Sequence, residues 1–100
     1  MNITHHTVER LEDPFGLLPG ERYEFRLYAE VEEEDELYTE AGIYIRVLYI
    51  ITDGRDMIKH YHIHKRSSDD ILDFELEEEE LDMILEYCRS HKDHEGTIAE

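Results

Sequence analysis

What the chain lacks narrows its function before what it contains is considered. Lys and Arg together number only 10 against 27 Asp and Glu in 100 residues, a formal charge of −17 with histidine neutral. DNA, RNA and anionic membrane surfaces each require a basic footprint, so direct binding to any of them is disfavoured. The one cysteine, Cys88, has no partner for an internal disulfide, and no CxxC pair is present to hold a structural zinc. No apolar run approaches the ~20 residues that span a bilayer. The start, Met1-Asn2-Ile3-Thr4-His5-His6, has neither a basic nor an apolar signal region. The expectation is a cytoplasmic protein. A (β/α)8 barrel, which needs roughly 200 residues or more, does not fit. P-loop, G-x-G-x-x-G and G-x-S-x-G patterns are missing too, which removes the anchors for phosphate-cradling and α/β-hydrolase chemistry.

High net charge with little apolar content gives disorder, because too little burial opposes chain entropy. Here, however, the acids are bunched, and the stretches between them are rich in Ile, Val, Leu, Phe and the chain's seven tyrosines. Such segregation predicts a single small domain over 1–100, its tail frayed after about 93. Ile3 to Arg10 reads as a first strand, with Ile3, His5, Thr7 and Glu9 on one side. Two prolines and two glycines then punctuate a loop whose Phe15, Leu17 and Leu18 are expected to tuck onto the core. Tyr23, Phe25, Leu27, Ala29 and Val31 alternate with Arg22, Glu24, Arg26, Tyr28 and Glu30, the period of a half-buried strand. Ile43 to Thr52 is apolar on both sides, as in a central strand. Asp53-Gly54 predicts a tight reversal into a partner strand from Met57 to Lys65. Ile71 to Leu76 is a further short strand. From Glu77 the period changes: Leu81, Ile84, Leu85 and Cys88 form one helical stripe, widened by Met83 and Tyr87. Glutamates open that helix and Arg89, His91 and Lys92 close it, as its dipole favours. The order predicts an α+β fold: an antiparallel four- to five-stranded sheet with one C-terminal helix packed on a face.

Few constellations here can carry chemistry. His60-Tyr61-His62-Ile63-His64 places His60, His62 and His64 on one strand face, and an H-x-H pair can offer two imidazoles to zinc. The first strand offers His5 or His6 to complete such a site, as part of a metal-binding protein or small metal-dependent hydrolase. The span from i to i+4 is about 13 Å, so at most two of the three reach one ion. The plainer reading is a half-wet face that tolerates histidine while Tyr61 and Ile63 face the core. Cys88 and His91 imitate a nucleophile and its base, yet position 88 lies on the apolar stripe, where a free thiol packs as a small hydrophobe. Carboxylate pairs are too plentiful to single out an acid–base couple. No catalytic residue and no cofactor is therefore assigned, zinc being the alternative. The charge gives the remaining lead. Glu32, Glu33, Glu34, Asp35 and Glu36 in one loop, and Glu77, Glu78, Glu79 and Glu80 at the helix start, could meet a basic protein surface. Against this, charge runs commonly form a solvated face that keeps a small protein soluble. The acidic loop lacks the D-x-[DN]-x-[DN]-G pattern of a calcium loop. Tyr28 and Tyr44 are expected exposed on the outer sheet face, where they could support a dimer; oligomeric state stays open.

Residues 7–16 (Thr-Val-Glu-Arg-Leu-Glu-Asp-Pro-Phe-Gly), 20–25 (Gly-Glu-Arg-Tyr-Glu-Phe), Glu34-Asp35-Glu36-Leu37-Tyr38 and Leu72-Asp73-Phe74 before the glutamate run resemble a family of short acidic proteins of unknown function from Bacillus-type bacteria. The resemblance covers nearly the whole chain. It implies a bacterial cytosolic protein with no established activity, and it supplies no functional residues to carry over. The pullulanase label sometimes attached to such proteins is not adopted, since starch-debranching enzymes use a catalytic barrel about twice this length.

Overall fold

The computed structural model describes residues 2–11, 16 and 20–92. Five strands in sequential order form one antiparallel sheet: β1 (Asn2–Leu11), β2 (Glu21–Glu30), β3 (Ile43–Thr52), β4 (Arg55–Lys65) and β5 (Ile71–Leu72). The helix α1 (Glu78–His91) follows and packs on one face. The α+β expectation is met. Phe15, Leu17 and Leu18, and the tail after 93, lie outside the described residues.

Alternation decides which face is covered. Tyr23, Phe25, Leu27 and Ala29 of β2 pair with Tyr49, Val47, Ile45 and Ile43 of β3, and all are buried toward the helix. Ile63 of β4 joins them, and Ile84 and Cys88 of α1 close the layer with no exposure at all. Leu81, Leu85 and Tyr87 pack at its border. Met83 does not: it is 38% exposed, because its position on the helix turns it away from the sheet. Glu80 reaches back to accept a hydrogen bond from the Glu77 N–H at 3.2 Å, which secures the helix start that the glutamates predicted.

The β3–β4 hairpin closes through Asp53 and Gly54, both with positive φ (53° and 75°), as a two-residue turn that matches strand twist requires. Gly20 is needed before β2 for another reason. A Cβ there would collide with the Ile51 carbonyl oxygen, and its φ of +76° disfavours any side chain.

Three local readings are corrected. A register shift between Ile3 and His5 makes Thr4 an extra residue in β1. Ile3 consequently shares the helix-facing side with His6 and Val8, whereas simple alternation grouped it with His5. The run 71–76 pairs only at Ile71 and Leu72; beyond them the chain leaves the sheet to reach the helix, anchored by buried Leu76, whose N–H donates to the Tyr61 hydroxyl at 2.9 Å. Tyr44 is only 7% exposed, because neighbouring side chains on the open sheet face cover it.

Candidate functional site

The acidic loop is a shaped turn. The Asp35 N–H bonds the Glu32 carbonyl, the Tyr38 N–H bonds the Asp35 carbonyl, and the Leu37 N–H bonds the Asp35 carboxylate, each at 2.9 Å. Leu37, 4% exposed, pins the turn to the core. Glu32, Glu33, Glu34, Asp35 and Glu36 are all exposed. At the helix start Glu77, Glu78 and Glu79 are exposed and Glu80 is half-buried in its cap. Among the described residues no ion pair engages any of these nine carboxylates. Cations sit elsewhere: Arg10 beside Glu21, Arg46 beside Glu24, and Arg89 on Asp56 and Glu86.

The histidine strand presents His60 and His62 to solvent on the sheet face away from the helix, with ring centroids 5.7 Å apart. Tyr61 and Ile63 point to the core side, as alternation predicts. His64 departs from the half-wet reading: it is 7% exposed, stacks on Tyr44 at 4.8 Å, and its Nδ1–H donates to the Asp69 carbonyl at 2.9 Å. His62 and His64 rings are 6.5 Å apart. His5 lies across the sheet on Tyr28, and His6 is on the opposite, helix-facing side, where its Nδ1 meets the Tyr87 hydroxyl at 2.8 Å. Among the described residues no three His, Cys, Asp or Glu side chains converge in a metal-holding arrangement.

Sequence spacing gave no sign of the row that crosses this face. His5, Tyr28, Tyr44 and His64 are direct cross-strand partners on β1 to β4. His5 stacks on Tyr28 at 4.4 Å with planes 6° apart, and Tyr44 on His64 with planes 3° apart. Arg66 lies over Tyr28 at 5.1 Å and Arg26 over Tyr44 at 5.9 Å, while the Tyr44 hydroxyl donates to Asp69 at 2.7 Å. Burial and the Asp69 bond push the Tyr44 phenol pKa up. The rings of this row thus meet one another and two guanidinium groups, and a cavity of about 320 Å³ opens beside them. The wet-face positions of Arg26 and Tyr28 were legible in β2, but their neighbours depend on register.

On the other side, α1 is tied down by a polar clamp. Arg89 donates to Asp56 through Nε at 2.7 Å and Nη2 at 2.9 Å, and the Tyr49 hydroxyl donates to the same carboxylate at 2.8 Å. Hydrogen bonding from Arg89, joined by that of Tyr49, lowers the Asp56 pKa to about 2. Cys88 is buried, and burial pushes its thiol pKa up, away from the thiolate that nucleophilic chemistry needs. A cleft of about 310 Å³ opens between residues 56–61 of β4 and Leu81, Asp82 and Leu85 of α1. No helix among the described residues is long and apolar enough to cross a membrane.

A family model described as a family of unknown function (DUF6509) matches residues 1–95. No curated protein and no solved structure matches the chain.

Proposed function

The chain belongs to this family of unknown function, and from that premise we propose, on its own residues, a non-enzymatic interaction module that meets a basic protein surface through Glu32 to Glu36 and Glu77 to Glu80. The observation that carries the reading is the exposure of the acids in a turn whose shape is set by Asp35 and by buried Leu37. A held, exposed cluster of carboxylates loses less entropy on meeting a partner than a floppy one, and the field of a −17 chain steers basic surfaces toward it. Exposed rim charges of this kind act mainly on association rate and salt dependence. Burial of Cys88 and the dispersed histidines give catalysis no comparable support.

The test is capture of partners from a bacterial lysate at low and at high salt, comparing the natural chain with one in which Glu32, Glu33, Glu34 and Glu36 are replaced by Gln. A partner retained at low salt, released at high salt and weakened by the replacements is the expected result. Capture that ignores both salt and the replacements sinks the reading.

A further inference from the structure

We propose that the outer edge of β4, together with the cleft beside α1, receives an extended basic peptide segment as an added strand. This rests on the basic-partner reading and gives that partner a second, structurally defined seat. β5 pairs only with Ile63 and His64, so among the described residues nothing pairs the outer edge of β4 from 55 to 61. Those seven residues span roughly 23 Å, the length of an ordinary short strand. An unpaired edge offers main-chain N–H and C=O groups in register for β-addition, and pockets beside it select alternate side chains. Such a pocket is present: the cleft runs along residues 56–61 and is walled by Leu81 and Leu85. Met57, 51% exposed, supplies apolar surface at the edge. The Leu76 N–H on the Tyr61 hydroxyl closes one end of it.

Charge selects the occupant. Asp82 lines the cleft, and Glu78 and Glu86 stand one turn to either side of it on the same helical stripe, all exposed. Among the described residues only Glu86 of these has an ion-pair partner, Arg89. A second copy of the chain is the wrong occupant. Each copy carries −17, and the extra residue in β4 where the register with β3 shifts, together with exposed Lys59, blunts self-pairing in the way native edges do. An incoming segment with Lys or Arg alternating with small apolar residues is attracted by the −17 charge that repels a second copy, and it pairs to either side of Lys59, which lines the cleft and opposes it locally. On the helix side its cationic side chains run their stems along Leu81 and Leu85 toward Glu78, Asp82 and Glu86, and its apolar ones turn to the opposite sheet face beside Met57.

The experiment uses the full chain, isotopically labelled, and the synthetic peptide acetyl-Lys-Val-Lys-Val-Lys-Val-Lys-amide. Expected are amide shifts and slowed hydrogen exchange in 55–61, and an affinity that falls about tenfold when Glu78, Asp82 and Glu86 are replaced by Gln, Asn and Gln. A peptide N-methylated at every residue, equal in charge but with no main-chain N–H to donate from either edge, should lose the protection and most of the affinity. Equal binding by the methylated peptide overturns the proposal, as does binding that shifts only Glu32 to Glu36, or no binding at about 1 mM peptide. In each case a salt-sensitive partner in lysate would still stand, so failure of the edge site is separable from failure of the basic-partner reading.

Discussion

Replacing Asp56 with Ala should unfasten the helix from the sheet, and the structure sets the size of the loss. Asp56 accepts from Tyr49, which is 1% exposed, and from Arg89, whose side chain is 51% exposed. Removing the carboxylate leaves the buried Tyr49 hydroxyl without this acceptor, a penalty of about 1–3 kcal/mol. The half-exposed Arg89 arm adds only a screened increment. A loss of ~2 kcal/mol lowers the melting temperature of a domain this size by about 10 °C. Tyrosine fluorescence and circular dichroism in urea measure it, since the chain has no tryptophan. Arg89→Ala should cost less than Asp56→Ala, because Tyr49 keeps its acceptor. The pH dependence has a definite sign. The folded pKa of Asp56, about 2, lies below its ordinary 3.8. Its contribution is therefore complete above the unfolded value and is lost as pH falls from about 4 toward 2. The stability gap between the natural chain and the variant should be flat from about pH 8 to pH 5 and shrink below about pH 4. A variant within about 0.5 kcal/mol of the natural chain at pH 7, or a gap indifferent to acid, refutes the clamp.

Ile84→Ala should cost about 2–5 kcal/mol, read from the urea midpoint, because Ile84 has no exposure between helix and sheet. Met83→Ala, at a side chain turned outward, should change stability by less than about 1 kcal/mol in the same assay. Gly20→Ala should destabilise by more than about 1 kcal/mol, since its left-handed φ and the nearby Ile51 carbonyl oxygen both oppose a Cβ; an unchanged thermal midpoint would contradict that geometry. Elemental analysis of protein purified without a histidine tag should find zinc, nickel and copper well below one per chain; stoichiometric metal would revive His60, His62 and His64 as ligands.

Period alone placed most elements. The alternation of Tyr23 to Ala29, the two-sided apolar run Ile43 to Thr52 and the Asp53-Gly54 turn were legible because each depends on neighbours close in sequence. The helix was legible for the same reason, at both its glutamate start and its Ile84–Cys88 stripe. What escaped was anything set by register between strands. Thr4 gives no local sign of being an extra residue, yet it decides which side Ile3 faces. Tyr44 has the spacing of a wet-face residue, and its burial follows from the rings of Tyr28 and His64 beside it together with Arg26 and Asp69.

Composition and periodicity by themselves determined an acidic α+β chain with its carboxylates gathered outside an apolar sheet, because charge density and repeat length are local properties. Only the tertiary structure decided that Asp56 meets Arg89 across 33 positions, that four rings align across four strands, and that among the described residues nothing pairs the outer edge of β4 from 55 to 61, beside the helix. Those features arise when distant segments are brought side by side by burial of a shared core, and no pattern within either segment records which partner it will meet.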